Sequence, residues 1–261
     1  MIPRQSTPET QNTHMTARSD TFPIAHPAPL NTAPSQAVRQ GTAAHKIKLA
    51  APLDDRSITS YLPRMTEQKK SDQTRQKILT AGRALISKHG FGAVGLARIL
   101  RESDVPKGSF YYYFPSKDAF GQALLHDYVD DYLARMDALC SGSGSARDKL
   151  LSFWSAWLAH AHSEGIANQC LVVKLGAEVA DLSDDMRRIL DDGVAQLVSR
   201  IAQLLVVGAE EGSVPPVVDP RAVAQMLYAK FLGAAILSKL SQDQVPLQQA
   251  LSETTDFLTI R

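Results

Sequence analysis

Apolar residues recur at helical spacing along most of the chain. From Asp72 the stripe Ile78, Leu79, Gly82, Leu85 and Ile86 repeats at intervals of three and four, which marks a helix with one buried face. Asp72 suits its N-cap and Gly90 its end. Leu96, Ile99 and Leu100 predict a short second helix, and Ser103-Asp104-Val105 a turn. Pro106 fits the first position of a third helix, because its missing N–H would be unpaired there anyway. That helix is brief, Lys107 to Phe114, with Phe110 and Phe114 one turn apart and Pro115 closing it. Ser116 caps a fourth helix, with Asp118 in the first turn, where the dipole favours negative charge. The stretch SGSGS (141–145) reads as a flexible break between modules. Beyond it the pattern predicts helices over 146–163, 168–180, 183–211, 219–241 and 245–258. No strand pattern of any length occurs, so the fold class is all-α.

Residues 1–64 break this pattern. They are rich in Pro, Thr, Ser, Gln and Ala, and Pro23, Pro27, Pro29 and Pro34 interrupt any helix. Such a segment buries too little apolar surface to offset its ordering entropy and is expected to be disordered. At Met65 the character changes, and MTEQKKSDQTRQKIL reads like an ordinary bacterial start. Residues 1–64 are therefore expected to be either a flexible extension or the product of a start placed too far upstream, with Met65 the true start.

Charge divides the chain in the same places. Residues 65–117 hold ten Lys/Arg against four Asp/Glu, whereas 118–261 hold eleven against nineteen. The overall charge of +1 hides a basic head on an acidic body. A compact basic module is what contact with nucleic acid requires, while phosphate would repel the body. The domains expected are thus a small head at 65–117 and a larger helical domain at 118–261. Two cysteines, Cys140 and Cys170, are too few for a disulfide scaffold and fit a reducing cytoplasm. No apolar run approaches the roughly 20 residues that span a bilayer, and no secretory signal is evident, so no membrane partner is expected.

Two short helices joined by a tight turn, the second opening Pro-Lys-Gly-Ser, describe a helix-turn-helix. A helix N-terminus offers unpaired N–H groups and partial positive charge to a phosphate. Gly108 lets the backbone approach closely, Lys107 adds a full charge and Ser109 a small donor. With Phe110 and Phe114 turned inward, Tyr111, Tyr112 and Tyr113 spread over the remaining surface, where hydroxyls can serve phosphates and base edges.

The segment VPKGSFYYYFPSKDAF resembles the signature of the TetR family of transcriptional regulators, and the 197 residues from Met65 match the family's usual length. Tyr113 stands where the family often has His; either ring supplies a donor. The resemblance implies a dimer on a pseudo-palindromic operator in double-stranded DNA. It implies phosphate contacts from Lys107, Gly108, Tyr111, Tyr113 and Lys117, with Arg98 close to the backbone. Ser109 and Tyr112 would lie nearest the bases. It also implies a sensing and dimerisation role for 118–261, with helix 219–241 in the dimer face; its small residues Ala222, Ala229, Gly233, Ala234 and Ala235 permit close contact.

A second patch, NQCLVVKLGAEVADLSDDMR (168–187), resembles the NemR-like branch of that family, which responds to electrophiles and oxidants through a cysteine. This implies effector sensing at Cys170, with Lys174 one turn on and Lys239 near the same thiol. A thiol at a helix N-terminus gains thiolate character from the dipole; the bland reading is a small buried hydrophobe. Cys140 is expected to be incidental. Trp154, Trp157, Tyr228 and Phe231 are candidates to line a pocket for a small-molecule effector, although aromatics at helical spacing commonly form core. His160 and His162 point apart on a helix and make a poor metal pair; Glu178 and Asp181 are expected to be solvated. No metal or cofactor is expected.

The chain carries no phosphate-binding loop, HExxH or strand-embedded nucleophile, so nothing points to an enzyme. Within the family, the alternative to a thiol sensor is a repressor induced by reversible binding of a small organic ligand.

Overall fold

The computed structural model describes residues 56–159 and 164–259, with side chains from Lys70 onward. The expected extension, up to residue 55, and the histidine pair at 160 and 162 lie outside them. Ten helices make up the described residues, and no strand occurs among them.

The first, α1, runs Arg56–His89. It begins well before Asp72, so residues 56–64 are helical where disorder was expected. Gly90, at φ +86°, ends it; the left-handed conformation costs glycine nothing. α2 (Leu96–Ser103) and α3 (Lys107–Tyr113) follow, joined through Asp104 at φ +51°. In α4 (Lys117–Ser141) the Ser116 hydroxyl accepts the Ala119 amide at 2.9 Å. Gly82 of α1 packs directly on the Phe120 ring of α4, where any Cβ would collide with it.

The SGSGS stretch is an ordered turn rather than a break between modules. α5 (Ala146–Ser155) starts from a capping box between Ser145 and Asp148, and the Ala146 amide donates to Glu211 at 2.6 Å. Those bonds satisfy N–H groups that a helix start leaves free. α5 stops at Ser155, short of the expected 163. The Ile166 amide reaches back to the Ala156 carbonyl at 2.8 Å, which turns the chain sharply into α6 (Ile166–Gln169). α7 (Leu171–Leu182), α8 (Asp184–Glu210), α9 (Pro220–Ser241) and α10 (Val245–Phe257) complete the body.

Two apolar cores share α4. One gathers Ile78, Ile86, Ile99, Phe110 and Phe114 of the first three helices with Phe120, Leu124 and Tyr128 of α4 and Leu171, Leu175 and Val179 of α7. The other joins the far half of α4, from Leu133, to α5, α8, α9 and α10. The core of the head therefore continues into α7, the helix that opens at Cys170.

Among the described residues α9 is long and apolar enough to cross a bilayer, with mean hydropathy 1.2 over an 18-residue window, contrary to the sequence expectation. Its inner face packs in the body through Ala224, Leu227, Tyr228 and Phe231. Ala234 and Ala235 belong to that buried face too, and so are unavailable to a partner. Ala222, Met226, Ala229, Leu237 and Leu240 are exposed on the other face, and a Cβ on Gly233 would meet nothing.

Candidate nucleic-acid interface and thiol site

α3 is pinned from beneath. Phe110 and Phe114 are buried against Phe120, with ring centroids 5.5 and 5.3 Å from it. The rest of α3 faces out: Lys107 and Gly108 are exposed, Tyr111 is 47 % exposed and Tyr112 79 %. A Cβ at Gly108 would meet no atom of the protein, so its glycine answers no internal packing need and suits close approach from outside. Lys107 Nζ stands 6.0 Å from the Tyr111 ring. Tyr113 is half-buried, its hydroxyl accepting from Ser71 Oγ at 3.2 Å, which ties α3 to α1. Arg98 is exposed and donates to His89 Nε2 at 2.9 Å, and Ser109 is half-buried on the rim.

Lys117 has a structural partner as well. Its ammonium donates to the Phe91 carbonyl at 2.7 Å and lies 4.6 Å from the Phe91 ring. Burial lowers its pKa, and the Glu178 carboxylate partly restores it. Glu178, expected to be solvated, is also a structural anchor: from α7 it accepts the Gly92 amide at 2.7 Å and the Phe91 amide at 3.0 Å. The turn after α1 is thus held by Lys117 on one side and Glu178 on the other. Its signal was present in the sequence, since Glu178 follows Leu171 and Leu175 on the inward face of α7. Asp181 is exposed.

Cys170 is the N-cap of α7 and 2 % exposed. Burial is the dominant influence and pushes the thiol up. The amides of Val173 and Val172, the Tyr128 hydroxyl and the Lys174 charge act the other way. The helix start does favour the thiolate, but desolvation outweighs it, so the expected low pKa is not what the site produces. Tyr128 Oη lies 3.8 Å from Sγ and accepts the Leu171 amide at 3.2 Å. Tyr132 and Tyr228 also sense a charge on Cys170, and burial drives all three phenols well above their ordinary range. Sequence reading missed Tyr128 and Tyr132; their i,i+4 spacing beyond Leu124 and Leu125 was the available signal.

Lys239 is exposed, and its charge bears on Lys174 rather than on the thiol: burial first, then Lys239, lowers the Lys174 pKa. It lines an open cleft of about 240 Å³ with Asn168, Ser238 and Gln244. The expected effector pocket is largely filled. Trp154 stacks on Phe231 at 4.4 Å, Trp157 meets Tyr228 edge-on at 5.9 Å, and all four rings are buried. Next to them remains a void of about 20 Å³ bounded by Tyr128, Tyr132, Val172 and Tyr228. Cys140 is half-buried and its thiol is raised by burial.

A helix-turn-helix head with an exposed basic and aromatic third helix, set on a helical body, defines a one-component DNA-binding regulator. The chain belongs to the TetR family: residues 78–124 match the family described as bacterial regulatory proteins, tetR family, and residues 146–254 the tetracyclin repressor-like C-terminal domain. Over 186 residues it is 39 % identical to the HTH-type transcriptional repressor NemR of Escherichia coli (strain K12), covering 71 % of this chain and 94 % of that protein. The crystal structure of the reduced form of E. coli NemR superposes with a TM-score of 0.67 at 38 % identity, covering 72 % of this chain and 98 % of that one. A putative regulator of the TetR/AcrR family superposes with a TM-score of 0.66 at 47 % identity, covering 72 % and 100 %. The protein is thus a DNA-binding transcriptional regulator and not an enzyme. Regulators of this family bind operator DNA and act as dimers.

Proposed function

We propose that this protein is a cytoplasmic homodimeric repressor that leaves its operator when an electrophile or oxidant modifies Cys170. The carrying observation is the course of α7. The helix begins at the buried thiol and, two turns on, Glu178 grips the turn of the head between α1 and α2. A group added at Cys170 has no space in so tightly packed an interior and must displace the start of α7. The head shares its apolar core with that helix, so the two heads are re-aimed relative to each other. Operator binding then falls by the free-energy difference between the two arrangements. The dimer forms through the exposed faces of α8 and α9, where Met226, Ala229, Gly233 and Leu237 make a stripe with little side-chain bulk at its centre.

In the operator complex Lys107, Gly108, Tyr111 and Tyr113 hold phosphates, with Arg98 beside the backbone, while Tyr112 and Ser109 address the bases. Support for the thiol over a reversible ligand comes from the aromatic cluster: Trp154, Trp157 and Phe231 fill the place where a ligand would sit. The test is a gel shift on an operator duplex selected from random sequence by the protein itself. Wild type should release the duplex after N-ethylmaleimide or peroxide, and Cys170→Ser should stay bound. Equal release of both proteins would refute the thiol sensor.

A further inference from the structure

Two buried polar atoms lack a hydrogen-bond partner among the described residues and belong to side chains that line one cleft. They are the indole Nε1 of Trp157, just beyond α5, and the Ser238 hydroxyl of α9. Leaving a buried polar group unpaired is costly, so each calls for a partner. The cleft is the open one of about 240 Å³ beside Lys239, and it shares no lining residue with the 20 Å³ void among the tyrosines. The chemistry of its wall is one-sided. An indole N–H can only donate. Gln244 spends its Oε1 on the Ala159 amide at 2.7 Å, which leaves its NH2 to donate. Lys239 is exposed and adds an ammonium. Its charge bears on that of Lys174, a repulsion that Glu164 offsets in part and that a bound anion would relieve. The acid on the wall, Asp243, turns one oxygen to the Val245 amide at 2.9 Å, at the start of α10. Ala235 and Leu247 supply apolar surface.

We propose that this cleft is a binding site for a small monocarboxylate with an apolar body. The carboxylate pairs with the Lys239 ammonium and accepts from Trp157 Nε1 and Ser238 Oγ, which turns to it by a change of rotamer. The body of the ligand packs on Ala235 and Leu247, in the usual division of a small-molecule site between a few polar anchors and apolar walls. Charge selects the class. One lysine on the wall balances one negative charge, and among the described residues no arginine lines the cleft to grip a phosphate from two sides. A neutral ligand would leave the ammonium unanswered, and a cation would meet it as a like charge. The site binds without chemistry: no bond forms or breaks, and Cys170 takes no part in it.

The chain holds two tryptophans, so its proton–nitrogen spectrum carries two indole signals, and the one missing from Trp157→Phe belongs to Trp157. The test follows both signals in the full chain without DNA as sodium butyrate or sodium benzoate is added, with sodium chloride holding the ionic strength constant. The Trp157 signal should move in a saturable way with at least one of the two acids, at about millimolar half-saturation, as suits a ligand of so few atoms. Butanol and benzyl alcohol keep the apolar body and lose the charge; they should need at least about tenfold more. Lys239→Gln should melt at the wild-type temperature and weaken the acid about tenfold, the loss expected of one charge-assisted hydrogen bond. No saturable movement with either acid, as for a cleft that holds only water, would overturn the inference. So would equal half-saturation for acid and alcohol, or for Lys239→Gln and wild type. Neither operator DNA nor modification of Cys170 enters the measurement, so it stands or falls apart from the sensor reading.

Discussion

Glu178 holds Gly92 across 86 residues of sequence, accepting its backbone amide at 2.7 Å. The Gly90 and Gly92 positions are shaped to this carboxylate, since a Cβ at either would stand 3.0–3.1 Å from its oxygens. Glu178→Ala removes the acceptor of two amides, those of Phe91 and Gly92. The predicted cost is about 1–3 kcal/mol, read as a lower midpoint in urea unfolding. The same variant should show a smaller loss of operator affinity on Cys170 modification than wild type. Unchanged stability together with unchanged response would remove Glu178 from the account.

Lys107 and Lys117 should separate cleanly. Lys107 is exposed on α3, so Lys107→Ala should weaken all DNA sequences and reduce the log–log salt slope by about one unit. Lys117 is bonded to the Phe91 carbonyl, so Lys117→Ala should lower the melting temperature while leaving that slope unchanged. Tyr112→Ala should instead alter preference among operator variants. Salt-titrated binding isotherms for the three proteins distinguish these outcomes.

The stripe on α9 makes a prediction about assembly. Leu237 is 57 % exposed and Leu240 76 % exposed, beside a glycine with open space above it. Leu237→Glu places a charge at the centre of the proposed dimer face, where an unpaired buried charge is strongly disfavoured. Sedimentation should show a folded monomer that no longer shifts operator DNA. A dimer of wild-type affinity would place the interface elsewhere.

Burial pushes the Cys170 thiol up, so near neutral pH it is protonated and the reactive thiolate is the minor form. The groups facing it are Tyr128 and Tyr132 of α4, Lys174 of α7 and Tyr228 of α9; the phenols are raised and remain neutral. The rate of Cys170 oxidation should therefore climb steadily as pH rises from 6 to about 8.5, the ordinary thiol pKa. A rate that levels off below neutrality would show a thiolate already formed.

Much of the head was legible because its signals are local. Ser116 and the Phe110–Phe114 spacing each decide a cap or a face within a few residues, and the structure places them accordingly, while Pro106 stands at the N-cap of α3, one residue before the first helical position expected of it. The thiol site was legible only in part. Cys170 could be placed at a helix start, but Tyr128 lies 42 residues away in sequence, and nothing local announces that α4 and α7 meet there. Glu178 was misjudged for the same reason: a charged residue on a helix reads as solvated until the chain returns to cover it. Lys239 shows the converse, where a position matched by resemblance lies on the exposed side of α9, toward Lys174.

If α7 carries a change at Cys170 to the head, as proposed, the amides of Phe91 and Gly92 report on it directly. Glu178 accepts a hydrogen bond from both, and it sits eight residues from Cys170, roughly 12 Å along a helix. Hydrogen exchange should be followed at these two amides before and after oxidation of Cys170, in wild type and in Cys170→Ser. Exchange should be at least about tenfold faster in oxidised wild type, as local opening of the clamp requires, and unchanged in Cys170→Ser. Full protection of both amides in a protein whose Cys170 is demonstrably oxidised would contradict it.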